Sequence, residues 1–519
     1  MGEGERLLSS PDHAKYRSID SFFDEAAAAA AAAATSESSA RNSATTTNNP
    51  YTRIRFPWRY LLIIVSIGTA NASFCTAILL ISYLLADNEF NSTVMRDDPD
   101  HWAGPLAAAV FAGMLPGGLL AGTICDSWVG RKPLLLITLT ANVTTAIWTA
   151  FVNGPIGLIL CRFLAGIAIG ATEPPLFALA TELSPPKHRG LCVSFVASFW
   201  MVGNLVVAVV GLVVFRYLVW SWRYYVLICA TPAVLGLLML AMCVPESPRF
   251  LAYVRRDIGG AVSSANRIAV SLGMDASSKR LLRKEELMDQ YSLELHQGEE
   301  SEEQKEKSLL ETFASLYHPQ LRFATTIPLQ ITWFSLCFGS YALVTWINTI
   351  YVQIHLDDLY WNLLWFALAN APGNLLSFFL LDKVGRIKTL VGSLTMSAMS
   401  LVVFAWYSRP DHTSTAGVVV SSCTFQALET VAWNVMDTAT GELFPTTSRS
   451  TGIGLCTATG RLGAMAAQFA SGLLIDSPVM LLLVSSLSFL IAAVIPMKLQ
   501  HGEMSQARLN DYVGAAGAN

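Results

Sequence analysis

The chain has 519 residues, 53% of them hydrophobic and only 14% charged. Soluble domains carry about a quarter charged residues, so this composition belongs to a membrane protein. A net charge of −4 argues against a nucleic-acid partner, and the nine cysteines lie in or beside apolar segments with no disulfide framework or metal-type Cys/His spacing.

Residues 1–57 read as a disordered tail, with an alanine run from Ala26 to Ala34 and a Ser/Thr/Asn tract ending at Pro50. No cleavable signal peptide is expected in so polar a stretch. Glu3-Gly4-Glu5-Arg6-Leu7-Leu8 fits an acidic dileucine pattern. Glu3, Leu7 and Leu8 are therefore expected to engage a sorting adaptor.

A transmembrane helix needs ~20 mostly apolar residues. Twelve stretches meet that length: 58–86, 104–125, 133–152, 155–181, 190–214, 222–244, 322–351, 360–381, 387–407, 416–440, 449–474 and 478–497. The expected fold class is an all-α membrane protein of 12 transmembrane helices in two pseudo-symmetric six-helix bundles. The bundles span 58–244 and 322–497, joined by a charged cytosolic linker, 245–321, in which Glu299 to Lys307 hold seven charges. A cytosolic tail, 498–519, follows.

Lys and Arg in the short loops set the orientation. With the N-terminus inside, the inner loops hold Arg131, Lys132, Lys187, Arg189, Lys383, Arg386, Lys388 and Arg449, and the outer loops only Arg96, Arg216, Arg223 and Arg409. Both termini are thus expected in the cytosol. Asn91-Ser92-Thr93, in the first outer loop, is an N-glycosylation acceptor on the matching side. Asn142-Val143-Thr144 lies inside the third helix and is expected to be silent.

Two turns repeat between the halves. Asp126 leads to Gly130-Arg131 after helix two, and Asp382 leads to Gly385-Arg386 after helix eight. Glu182-x-x-Pro185-x-x-x-Arg189 after helix four returns 260 residues later as Glu442-x-x-Pro445-x-x-x-Arg449. One order at nearly one offset indicates a duplicated bundle with a solute site between the halves. The glycines suit tight turns, and the ten residues Asp126, Gly130, Arg131, Glu182, Arg189, Asp382, Gly385, Arg386, Glu442 and Arg449 are expected to form a cytosolic gate that holds the halves together. An inert reading is ordinary turn chemistry under the positive-inside rule.

Over residues 58–497 the chain resembles the major facilitator superfamily, and most the branch of synaptic-vesicle glycoproteins and organic cation and nicotinate transporters. The matches are Gly113-Met-Leu-Pro-Gly-Gly118, Arg162-Phe-Leu-x-Gly166, Phe199-Trp-Met-Val-Gly203, Pro245-Glu-Ser-Pro-Arg-Phe-Leu251, Ser340-Tyr-Ala-Leu-Val-Thr-Trp346, Pro372-Gly-Asn374 and Trp433-Asn-Val-Met-Asp437 before Glu442-Leu-Phe-Pro-Thr446. Two departures stand out. The first gate has one residue more than the family's usual spacing, which implies a looser geometry. Helix one has Phe74 and Ala77 where relatives often carry acids. The glutamine-rich helix-seven motif of sugar porters is missing.

Ionisable groups at membrane depth mark pathways by default. Arg162 and Glu173 are eleven residues apart, three turns along one helix face, and are expected to look into the bundle as a pair. Pro174-Pro175 is expected to break the ladder beside Glu173. Glu429, Trp433 and Asp437 recur as a stripe on helix ten, with Asp437 expected as the coupling or amine-binding acid and Glu429 next. Arg461 on helix eleven is expected to pair with an acid across helices. Trp200, Tyr341 and Trp346 would stack on a flat solute, and the family-like segments add Asn374 and Asn434. Each aromatic alone is as compatible with packing.

The functional expectation is a secondary transporter of a small organic solute, an organic ion or ring acid or amine, by alternating access, proton-coupled or facilitative. It is expected to be monomeric, to need no cofactor and no metal, and to sit in the plasma membrane or an endosomal or vacuolar membrane. No nucleotide-binding motif or nucleophile–base set points to an enzyme. The alternatives are a transport-deficient sensor or trafficking protein on this scaffold, or a sugar porter.

Overall fold

The structure, a computed structural model, describes residues 19–28, 57–95, 99–125, 129–275, 281–288, 316–317, 322–412, 414–444 and 449–498. Twelve membrane helices form its body. The first six are α1 (Trp58–Leu85), α2 (Pro99–Cys125), α3 (Arg131–Phe151), α4 (Pro155–Glu182), α5 (Arg189–Gly211, continued by the π turn Leu212–Leu218) and α6 (Trp222–Cys229 and Thr231–Cys243). The second six are α7 (Ile327–Val344 and Ile347–Gln353), α8 (Leu359–Leu368 and Asn370–Lys383), α9 (Arg386–Tyr407), α10 (Thr415–Leu443), α11 (Arg449–Leu473) and α12 (Pro478–Val494). Ten are long and apolar enough to cross a membrane by themselves. The other two are α10 and α11, which carry Glu429, Asp437 and Arg461.

The interruptions have chemical causes. Pro232 and Pro372 each lack an amide donor, and their rings clash with the carbonyl four residues back. α6 and α8 accordingly break just before them, at Ala230 and Ala369. Pro174-Pro175 behaves differently from expectation, because α4 runs through both prolines as one helix. α4 is clamped along α2 by backbone contact: a Cβ on Gly113 would stand 2.0 Å from the Phe163 carbonyl oxygen, and one on Gly166 2.2 Å from that of Val110. No side chain fits there.

The duplication holds at the turns. Gly130 and Gly385 each precede the first residue of a helix, with φ of 94° and 95°. That left-handed region is one that glycine enters without strain.

On the face that carries the chain ends, two segments fold onto the body, the first of them within the tail expected to be disordered. Residues 19–28 form a short helix whose Ile19, Phe22, Phe23 and Ala26 are buried in one cluster with residues of α1, α3, α4, α5, α6 and the chain after α6. That chain contains the helix Ile258–Ser271, whose Ala261, Ala265 and Ile268 close the same core. The apolar positions of both segments repeat at helical spacing, so folding them down removes one greasy stripe from water. The dileucine residues Glu3, Leu7 and Leu8, and the charged stretch 299–307, lie outside the described residues.

Candidate functional site

One ion pair links α4 of the first half to α11 of the second. There Arg461 Nη2 donates to Glu173 Oε2 at 3.0 Å. The pair is mostly shielded, with side-chain exposures of 14% and 38%. The Tyr341 hydroxyl lies 3.5 Å from Arg461 Nη1, and the Arg461 guanidinium stands 5.9 Å from the Phe74 ring centre. Trp200 packs on Phe74 at 5.3 Å, Phe111 on Tyr341 at 4.6 Å, and Trp433 on Tyr341 at 6.3 Å and Trp333 at 5.7 Å. Both halves thus contribute aromatic rings around one salt bridge. Asp437 is exposed to the space beside it and within electrostatic reach of both Glu173 and Arg461.

The expected Arg162–Glu173 pair does not form. Eleven residues bring the two onto one face but also separate them by about 16 Å along the axis. Glu173 crosses instead to Arg461, and Arg162 turns into its own half, where Nη1 donates to the Ala77 carbonyl at 3.1 Å. Trp346 also differs from expectation. It is 1% exposed and its Nε1 donates to Gln468 Oε1 at 2.9 Å, so it packs at the break in α7 rather than facing a solute.

α10 builds a second polar layer. Glu429 is 3% exposed, its Oε1 accepts from Trp433 Nε1 at 3.2 Å, and its Oε2 is buried without a hydrogen bond. Trp433 Nε1 also lies 3.2 Å from Ser340 Oγ. Asn434 Nδ2 donates to Asn374 Oδ1 and Ser377 Oγ, both at 2.9 Å. One turn deeper, Asn370 Oδ1 accepts from Gln426 Nε2 at 3.1 Å and Thr430 Oγ1 at 3.0 Å. The sequence reading missed Ser340, Asn370, Ser377, Gln426, Thr430 and Gln468. Their signal was present as uncharged polar residues inside apolar helices, which it did not weigh.

At the face of the chain ends, Arg386 pairs with Glu442 through Nε at 3.1 Å and Nη2 at 3.2 Å. Arg131 pairs with Glu182 by one contact at 3.4 Å. The Arg131–Glu182 pair of the first half is the longer of the two. Each joins two helices of its own half, so neither bridges the halves. Arg189 leaves the expected cluster altogether: with Arg249 it holds Asp20 of the tail helix, at 3.2 Å for Arg189. Asp126 lies outside the described residues, as do the side chains of Asp382 and Arg449. Two partners went unrecognised, both in the Pro245–Leu251 segment. Glu246 accepts from the Lys132 amide at 3.2 Å, and the Phe250 ring centre lies 4.7 Å under the Arg131 guanidinium. Burial pushes the Glu246 carboxyl above its ordinary range.

The opposite face is closed. A Cβ on Gly472 of α11 would lie 3.1 Å from Gly104 Cα of α2. Phe215 stacks on Tyr360 at 5.8 Å, and Arg216 reaches Asp358 at 3.4 Å. Glu173 and Asp437 keep solvent exposure despite that seam. Asn91 is at the closed face, beside exposed Ser92 and Thr93, while Asn142 is buried in α3.

Two six-helix halves around a central charged site define a secondary transporter, an integral multi-pass membrane protein and not an enzyme. Residues 26–495 match the sugar (and other) transporter family, and the chain belongs to it. It is 24% identical over 556 residues to synaptic vesicle glycoprotein 2C of Rattus norvegicus, covering 79% of this chain and 74% of that one. It is 22% identical to synaptic vesicle glycoprotein 2A of Homo sapiens, over 79% and 72% of the two chains. Among solved structures, the inward open conformation of the xylose transporter XylE from E. coli superposes with a TM-score of 0.67 at 16% identity, over 87% of this chain and 98% of that one. A partially occluded inward open form of the same transporter gives 0.66 at 16% identity, over 85% and 99%. At such identity the likeness concerns the fold, the one the motif repeat implied.

Proposed function

We propose that the protein carries a small ring-bearing organic amine across a membrane by alternating access, in exchange for or together with protons. The observation that carries this reading is the Arg461–Glu173 bridge between the halves, set among aromatic rings with Asp437 beside it. One arginine here faces two carboxylates. The surplus negative charge suits a protonated amine or a proton, and the rings of Phe74, Trp200, Tyr341 and Trp433 suit both a flat solute and a cation above their faces. A bound cation that competes for Glu173 would loosen the bridge, so occupancy and closure are coupled. The open face is assigned to the cytosol, following the basic residues of the loops.

The test is uptake into liposomes holding purified protein, with labelled ring amines, ring acids and pentoses, each with and without a pH gradient. Amine uptake that falls at least tenfold in Arg461→Gln and Glu173→Gln would support the reading. Uptake of acids alone would overturn the charge argument. A second reading, a sugar porter, is favoured by the amide layer of Asn370, Gln426, Asn374 and Asn434, since neutral amides suit hydroxyl groups, and by the XylE neighbours, described as xylose transporters. Pentose uptake abolished by Asn434→Leu would decide for it.

A further inference from the structure

The second half contains a carboxyl group that stands outside the Arg461–Glu173 bridge. Glu429 is 3% exposed, and among the described residues no lysine, arginine or histidine pairs with it. Arg461 is engaged by Glu173 and Tyr341. Ser340 and Cys337 of α7 face Glu429, and its Oε1 accepts from Trp433 Nε1 at 3.2 Å. Its Oε2 is buried without a hydrogen bond. Three residues back on α10 is a second buried oxygen in the same condition, Gln426 Oε1. The orientation of that amide is fixed by its neighbours. Asn370 Nδ2 donates to the Ala367 carbonyl at 3.0 Å, so Asn370 presents Oδ1 to α10. Thr430 Oγ1 and Gln426 Nε2 both donate to this oxygen, at 3.0 Å and 3.1 Å. With Nε2 used in this way, the free end of the Gln426 amide is its oxygen.

An ionised carboxylate buried without a cation is costly, and two acceptor oxygens cannot satisfy each other. A single proton removes both faults. Placed on Oε2, it makes Glu429 neutral and turns that oxygen into a donor. Side chains three apart on a helix are neighbours, which brings Gln426 within reach. We infer that Glu429 and Gln426 form a proton-binding site, in which Glu429 is a neutral carboxylic acid in this conformation and donates from Oε2 to Gln426 Oε1. Every hydrogen bond then runs in one direction, from Trp433 to Glu429, Gln426, Asn370 and the Ala367 carbonyl. The chain ties Trp433, one of the rings at the central site, to α8 beside its break at Ala369. It also keeps Glu429 from adding a third negative charge to Glu173 and Asp437. The inference rests on the direction of these hydrogen bonds and does not depend on which solute is carried.

The test is infrared spectroscopy of the full-length protein at neutral pH, in a detergent without ester groups. The C=O stretch of a protonated carboxylic acid lies apart from the amide and carboxylate bands. The wild type should show such a band, which Glu429→Gln loses and Asp437→Asn keeps. Gln426→Leu takes away the acceptor of the acid O–H, so the same band should move to higher frequency. A difference between wild type and Glu429→Gln that contains only carboxylate bands would mean that Glu429 is ionised and would overturn the proposal. A band that keeps its frequency in Gln426→Leu would overturn the pairing with Gln426. If Glu429→Gln does not fold, Gln426→Leu decides alone: an acid band that moves supports the site, and a spectrum without a moving acid band overturns it.

Discussion

Asp437 and Glu429 stand eight residues apart on α10, two turns on one stripe, yet their surroundings differ. Asp437 shares the electrostatic field of Arg461 and Glu173 and is exposed. Glu429 is buried and accepts from the Trp433 indole N–H. A coupling acid must exchange its proton with water in at least one state, which the structure allows at Asp437 and denies at Glu429 in this conformation. Asp437→Asn is therefore expected to leave folding and protein amount intact, abolish pH-driven accumulation by tenfold or more, and spare solute exchange. Uptake with and without a pH gradient checks this. Accumulation with the wild-type pH profile would transfer the role to Glu429. The stripe itself was legible in the sequence, because helical spacing is local. The difference between its two acids was not, because burial depends on which helices pack over each.

At the scale of elements, the tail helix separates two kinds of attachment. Its ion pairs from Asp20 to Arg189 and Arg249 are 31–41% exposed and are worth under about 1 kcal/mol each. Phe22 and Phe23 are fully buried, and truncating such rings to alanine costs about 3–5 kcal/mol in a well-packed core. Phe22→Ala with Phe23→Ala should release the helix, seen as loss of amide-exchange protection over residues 19–28. Asp20→Asn should lower that protection only slightly. Equal effects would mean that charge, not burial, holds the tail. Composition hid this element: the alanine run reads as low complexity, and the two phenylalanines gain meaning only from the apolar cluster of the first half that they join.

At the scale of the whole molecule, the closed face and the open face must be assigned to the two sides of the membrane. Arg216 and Asp358 are both more than half exposed, so their pair contributes little, and the seam at the closed face rests on the Gly104–Gly472 approach and the Phe215–Tyr360 stack. If the closed face is extracellular or lumenal, Asn91 receives a glycan. Asn91→Gln should then remove one glycan-sized band shift on a gel, and Asn142 should contribute none. A shift that persists in Asn91→Gln would reverse the orientation and with it the direction in which the central site opens.

The sequence by itself determined the twelve helices, the two related halves and the turns at Gly130 and Gly385. Each follows from chemistry within a few residues: apolar length against the bilayer, glycine at a left-handed turn, and motifs recurring at one offset. Tertiary structure alone decided the pairing of charges. Glu173 reaches Arg461, 288 residues away, instead of Arg162 on its own helix, and Arg189 serves the tail rather than the gate. A helix face says which direction a side chain points, but its partner is set by the rotation and approach of whole helices. Those are fixed by backbone contacts such as Gly113 on Gly166, which no local pattern encodes.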